Sequence, residues 1–460
     1  MSEAGISLAP EIIEWIESVT ASGVVRADRI PGGGTREGWF VDVGSPPDIR
    51  GEVFLRYTPT EMPEDTAFHS LRTEAEVLRA LKKTDVPVPG VLAVHPDREA
   101  VLMERVQGDT WFYRIGDPDE QIRVAQGFIR SLAAQHRLDP RALGIRGLGP
   151  VRSAQEHALE RIASLRDRAA GPDGRIDPVL QVTVDWLEAN VPNYDGPVVL
   201  VQGDTGPGNF MYRDGRVTAV LDWELSHFGD PMDDIAWLSL RTVQDTFTHL
   251  PDRLVEYEHL SGHRIDMERV WYYRLFAEAT MATLNPPQSD TDGVTRDIGN
   301  LMIYRQLHRR LWLEALNEVM GLGLVRPSVT PTPSQNPWSG LYGDVLSSFR
   351  TIVARVADPL AAQWIRGLVR VVKYLEQVDS SGLELLDDEL SDIQALVDVT
   401  SLPIAEARAR LDDAFHAGGV DQHRYIEIVW NRVMREDELM KAASGALHDR
   451  TWPPLRSEGA

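Results

Sequence analysis

The stretch Val201–Trp237 constrains this chain more than any other, because it sets two carboxylates and a carboxamide at fixed intervals between apolar runs. An apolar run, Val198 to Val201, delivers the chain to Asp204, and Asn209 follows five residues later. Phe210 to Tyr212, a turn at Arg213-Asp214-Gly215 and a return over Val217 to Leu221 predict a short hairpin that leads to Asp222. Phosphoryl transfer asks a protein for a carboxylate that orients a hydroxyl and takes its proton, and for hard oxygen ligands that hold magnesium against phosphates. Asp204, Asn209 and Asp222 supply that set.

Asp-x-x-x-x-Asn with a further Asp across a hairpin is the spacing of a kinase catalytic loop and its magnesium site. Each residue alone is commonplace in turns and caps, so the joint pattern carries the reading. Gly203-Asp204-x4-Asn209, then Leu221-Asp222-Trp223-Glu224, then Gly229-Asp230-Pro231-x-x-Asp234-Ile235-Ala236 resembles the aminoglycoside phosphotransferase and choline kinase family. The resemblance implies an α+β, protein-kinase-like two-lobe fold, with a small antiparallel-sheet N-lobe and a mostly helical C-lobe. It also implies Mg2+ as cofactor and ATP or GTP as phosphoryl donor. Asp204 would be the catalytic carboxylate, and Asn209 and Asp222 the metal ligands. One departure stands out: the family has His two residues before the catalytic Asp, where this chain has Gln202. Asp230 and Asp234 precede an apolar helical run, which assigns them to capping and to bracing the loop.

The chain has 460 residues, more than one hydrophobic core serves, so several domains are expected. It has no cysteine, which excludes disulfides, thiolate nucleophiles and zinc–thiolate sites. The N-terminus is acidic with helical periodicity, and no apolar run reaches membrane length; a soluble, cytoplasmic protein is expected. A net charge of −23 disfavours nucleic acid and anionic membranes as partners. The expected partners are a nucleotide and a small hydroxylated substrate.

Ahead of the central stretch, residues 8 to 24 carry Ile12, Ile13, Ile16 and Val19 at helical intervals. Pro31-Gly32-Gly33-Gly34-Thr35 then separates two strand-like runs, where Gly33, Gly34 and Thr35 can wrap phosphate oxygens in a nucleotide-covering hairpin. The strand Glu52 to Tyr57 must offer a cation to the phosphates. The chain's four lysines, Lys82, Lys83, Lys373 and Lys441, all lie elsewhere, which leaves Arg56. The resembled branch, bacterial phosphotransferases related to the kinase domain fused to acyl-CoA dehydrogenases, often has Arg there. In the same comparison Glu74 matches the Glu that pairs with this cation, and the backbone near Glu104 and Val106 matches the hinge that bonds adenine. Met103 is assigned to core. His136, on a helix from Glu120 to Arg137, is read as a packed structural histidine, since the site already has its carboxylate.

The boundaries expected are an N-lobe over 1–106, a C-lobe over 107–325, a Pro-rich linker over 326–340 and a C-terminal helical bundle over 341–460. In the tail, Leu341 to Ala357, Pro359 to Gln377, Leu386 to Leu411 broken at Pro403, and Gln422 to Leu447 are predicted helical. Its apolar helix faces favour docking or a homodimer through this domain. The resemblance suggests a hydroxyacyl-CoA or another catabolic alcohol as acceptor. An aminoglycoside kinase is the alternative enzyme, and a nucleotide-binding pseudokinase or scaffold the alternative class.

Overall fold

The computed structural model describes residues 8–30, 36–45, 48–59, 68–284, 297–329 and 338–457. Gly33, Gly34 and Thr35 lie outside the described residues, as do residues 330–337 of the Pro-rich stretch. The chain forms two compact units, one from Met1–Arg161, Pro192–Tyr273 and Trp452–Ala460, the other from Ile162–Val191 and Arg274–Thr451.

The first unit is α+β and protein-kinase-like in its order: an antiparallel sheet, then a mostly helical part. Strands β1 (Gly23–Arg29), β2 (Glu37–Ser45), β3 (Asp48–Tyr57), β4 (Val91–Val94) and β5 (Ala100–Glu104) make a sheet in the order β1-β2-β3-β5-β4. Alternation buries Trp39, Val41 and Val43 of β2 and Val53, Leu55 and Tyr57 of β3 on one face. Helix Pro10–Thr20 covers that face with Ile12 and Ile16, one turn apart. Phe54, Val101 and Met103 look the other way, onto Leu71, Ala75, Leu78 and Leu81 of helix Leu71–Leu81. This second core continues through Leu200, Val220, Trp223 and Phe228, so the stretch around the acidic residues is packed against the sheet's own core.

In the helical part, β6 (Val199–Val201) pairs with β9 (His227–Gly229), and β7 (Phe210–Arg213) with β8 (Arg216–Val220). The β7–β8 turn has Asp214 at φ 52° and Gly215 at φ 73°, the two positive angles that an Asp-Gly turn tolerates and a tight hairpin needs. Helix Pro118–His136 begins at an Asp117 cap, and helix Pro231–Gln244 at an Asp230 cap that accepts from Met232 N.

The second unit is helical, with Pro178–Ala189, Ile298–Met320, Ser339–Val353, Pro359–Gln394, Ile404–His416 and Gln422–Ser444 among its helices. The break expected after Gln377 is absent: one helix runs unbroken from Pro359 to Gln394. Ser380-Ser381-Gly382 looks like a stop in sequence, yet Ser381 and Gly382 are buried within this helix. Pro403, by contrast, does end the irregular segment and immediately precedes Ile404–His416. Among the described residues no helix is long and apolar enough to cross a membrane.

Candidate functional site

Alternation along β3 decides where Arg56 goes. With Leu55 and Tyr57 on the face covered by Pro10–Thr20, Arg56 is turned to the opposite face, where Glu74 is buried on its helix. Arg56 Nη1 lies 2.5 Å from Glu74 Oε1. The same guanidinium sits 3.3 Å from Asp222 Oδ1 and 2.9 Å from Glu224 Oε2. Arg36, just past the glycine run, joins them from the other side. Its Nη1 is 3.3 Å from Glu74 Oε2 and 3.0 Å from Glu224 Oε2, and its Nη2 donates to the carbonyl of His69.

Glu74, Asp222 and Glu224 thus outnumber the two guanidiniums they face. Burial raises the carboxyl pKa of Glu74, and Asp222 adds to the rise while Arg56 and Arg36 oppose it. Burial, reinforced by Asp222, pushes Glu224 up to about 8 against the pull of Arg56 and Arg36. Burial also works against the charge on Arg56, but Glu74, Asp222 and Glu224 outweigh it and its pKa is raised. A cluster with surplus carboxylate is suited to receive a further cation.

Asp222 adopts φ 60°, a left-handed conformation that costs a non-glycine residue about 1–3 kcal/mol and persists only where neighbours enforce it. The neighbours are visible. Leu221 N donates to Asn209 O at 2.8 Å, and Gln202 Nε2 donates to Leu221 O at 2.6 Å and to Asp222 O at 3.3 Å. Asn209 Nδ2 donates to Asp204 Oδ2 at 2.6 Å and to Asp204 O at 2.8 Å, which leaves Asn209 Oδ1 as the acceptor end of the amide. The predicted Asp204, Asn209, Asp222, Arg56 and Glu74 are therefore joined in one hydrogen-bonded and ion-paired network.

Asp234 braces the loop from below. It is fully buried and accepts from Gln202 N at 2.9 Å, Gly203 N at 3.0 Å, Gln135 Nε2 at 3.0 Å and the Thr205 hydroxyl. His136 Nε2 lies 2.9 Å from the same carboxylate and its Nδ1 2.7 Å from Tyr257 Oη, inside the packed interior. The cap of the helix is Asp230 alone, which also holds Arg269 Nη1 at 2.8 Å.

At the end of β5, Glu104 N donates to Gly90 O at 2.8 Å, and the exposed carboxylate meets Lys82 Nζ at 2.9 Å. Val106 has no hydrogen-bond partner for its backbone among the described residues, so its N–H and C=O can serve a ligand.

Arg36, Glu224 and Arg241 were not singled out by sequence reasoning. Arg241 Nε lies 3.3 Å from Asp204 Oδ1. The loop wraps it closely: a Cβ on Gly206, at φ 146°, would stand 2.5 Å from Arg241 Cβ. Arg241 lies seven residues after Asp234, on the same helix face, and that spacing was the available signal. Glu224 stands inside the recognised Leu221–Glu224 run, whereas nothing local distinguishes Arg36.

Among the described residues no three His, Cys, Asp or Glu side chains converge as a metal cage. Magnesium does not need one, since it takes one or two protein oxygens with phosphate and water completing its shell. Asp222, a third exposed on its side chain, and Asn209 Oδ1 fit that requirement.

The sequence model of the phosphotransferase enzyme family matches residues 29–270. The acyl-CoA dehydrogenase family member 11 of Rattus norvegicus is 30% identical over 182 residues, 37% of this chain and 23% of that protein. The probable acyl-CoA dehydrogenase IBR3 of Arabidopsis thaliana is 27% identical over 222 residues, 45% of this chain and 26% of that one. This chain therefore spans about a quarter of the length of these curated relatives. Among solved structures, choline kinase LicA from Streptococcus pneumoniae is 14% identical with a TM-score of 0.48, covering 68% of this chain and 98% of that one. A complex of aminoglycoside phosphotransferase APH(4)-Ia with ADP and hygromycin B is 17% identical with a TM-score of 0.43, covering 68% and 95%.

Proposed function

We propose, from the premise that this chain belongs to the phosphotransferase enzyme family, that it transfers the terminal phosphoryl group of ATP or GTP to the hydroxyl of a small molecule. The carrying observation is the bonded path from Asp204 through Asn209 to Leu221 and Asp222, with Arg56 against Asp222. Asp204 would accept a hydrogen bond from the acceptor hydroxyl and take its proton as the new O–P bond forms and the bond to the nucleoside diphosphate breaks. Asp222 and Asn209 Oδ1 would hold magnesium, which supplies charge neutralisation across the phosphates when bound. Arg56, positioned by Glu74, would contact the phosphates, and Arg241 would fix the Asp204 carboxylate. The Val106 backbone would meet the base.

The segment shared with acyl-CoA dehydrogenase relatives supports a hydroxyacyl-CoA or related alcohol as acceptor. Nucleotide consumption with magnesium, measured over hydroxyacyl-CoAs, simple and tertiary alcohols and aminoglycosides with mass detection of product, tests both levels. A phosphorylated hydroxyacyl-CoA formed by the wild type and not by Asp204→Ala is expected. A phosphorylated aminoglycoside in its place would overturn the acceptor class, and turnover undiminished in Asp204→Ala would overturn the mechanism.

A further inference from the structure

Behind the β7–β8 hairpin, in the first unit, lies a cavity of about 500 Å³ that none of Asp204, Asn209, Asp222 or Arg56 lines. One wall is a single face of helix Pro118–His136, with Gly127, Arg130, Ser131 and Ala134 at helical intervals and Arg137 just past its end. The rest of the lining is Gly215 of the turn, Arg216 and Val217 of β8, and Asp85, Pro87 and Leu260. The helix packs closely on β8 here: a Cβ on Gly127 would stand 3.3 Å from Val217 Cγ2.

The charge in this cavity runs against that of the protein. In a chain of net charge −23, three arginines line it against the single carboxylate of Asp85. Arg137 is engaged, donating to Leu260 O at 2.6 Å. Arg130 and Arg216 have no hydrogen bond or ion pair among the described residues, and Arg130 Nη2 folds back to 3.7 Å from where a Gly127 Cβ would be. The more buried arginines of this unit, Arg36, Arg56, Arg161 and Arg269, pair with carboxylates, whereas Arg130 and Arg216 stand exposed in the lining. Two guanidiniums without a partner, one on helix Pro118–His136 and one on β8, share a lining with Pro87, Ala134, Val217 and Leu260, which suits an anionic head on an apolar body.

We propose that this cavity binds a small organophosphate, its phosphate held between Arg130 and Arg216 and its apolar portion laid over Pro87, Ala134, Val217 and Leu260. The site is separate from the reaction, but not isolated from it. Val220 N donates to Pro87 O at 2.7 Å, so a cavity wall is bonded to the hairpin whose two ends carry Asn209 and Asp222.

Phenyl phosphate and inorganic phosphate serve as probes, titrated by calorimetry into the full chain saturated with magnesium and a non-hydrolysable nucleotide so that the Asp222 site is filled. Saturable binding is expected, tighter for phenyl phosphate than for inorganic phosphate because of the apolar wall, and weakened by about tenfold or more in Arg130→Gln/Arg216→Gln. Val217→Trp, which fills the cavity without removing charge, should also weaken it. Equal binding in wild type and the double variant, or no saturable binding of either probe, would overturn the proposal. Both variants lie outside the transfer site, so unchanged nucleotide affinity distinguishes loss of this site from misfolding. The readout is binding, and its failure leaves the phosphotransferase reading untouched.

Discussion

Gln202 Nε2 donates to the carbonyl of Leu221 at 2.6 Å, so a buried amide ties the exit of β6 to the residue before Asp222. Its Oε1 lies 3.0 Å from Thr205 Oγ1, whose proton goes to Asp234, inside the loop that carries Asp204. One side chain therefore sets the loop and the strained Asp222 in register.

If that register matters to the chemistry, Gln202→Ala lowers kcat by about 10–100-fold while moving the nucleotide KM less. Gln202→His, which retains a donor, restores part of the rate. Steady-state kinetics with the acceptor found in the panel decide it, and a kcat unchanged in Gln202→Ala would count against the clamp.

Asp204 and Asp222 should fail differently. Asp204→Ala is expected to bind magnesium-nucleotide nearly as well as wild type and to turn over at least about a hundredfold more slowly. Asp222→Ala should weaken magnesium-nucleotide binding itself. Calorimetric titration beside single-turnover assays separates the two, and identical profiles would sink the division of roles.

Removing Asp234 strips acceptors from Gln202 N, Gly203 N, Gln135 and Thr205 at once. Asp234→Ala is expected to destabilise the protein by about 3–5 kcal/mol in denaturant unfolding, because buried donors lose a charged partner together. A loss below about 1 kcal/mol would show that water replaces the carboxylate.

The buried histidines of the first unit make a contribution to stability that acid removes. Burial lowers the pKa of His69, against the pull of its bond to Ser226 O, and burial likewise lowers His157. The unfolded chain then binds protons near the ordinary histidine value of 6.5 that the folded chain refuses, so this contribution to stability is full above that pH and falls as pH drops through it. Glu224, held at about 8, pulls the other way in this window, so the expectation is a difference: between about pH 7.5 and about pH 5.5 the thermal midpoint of wild type declines relative to that of His69→Gln/His157→Gln. An unaltered slope in the double variant would assign the effect to other groups.

In the second unit, helix Ile298–Met320 meets helix Pro359–Gln394 at Gly299 and Gly367, where a Cβ on Gly299 would overlap the Gly367 backbone. Gly299→Ala should cost about 1–3 kcal/mol by forcing the helices apart. Gly343→Ala, open to solvent on its helix, is the control and should be neutral or slightly stabilising. Equal effects would remove the close approach as the cause.

Much of this was legible in the amino-acid order because it is local. The strand, the Asp-x-x-x-x-Asn loop, the Asp-Gly turn and the returning strand follow from alternation and turn chemistry within a few residues, and Arg56 emerged because no lysine was available on its strand. Even the face that Arg56 occupies follows from the period of β3. What sequence could not assign was the meeting of distant groups. Arg36 and Glu224 are 188 positions apart, and only tertiary packing brings them together, with Arg36 also meeting Glu74. The helix through Ser380-Ser381-Gly382 was misread for the same reason, since turn-prone residues stay helical when neighbouring helices pay for burying them. Local periodicity decided which elements form and what each presents. Burial, the left-handed Asp222 and the surplus of carboxylate over guanidinium were decided by tertiary structure alone, because desolvation and Coulomb terms depend on distances in space.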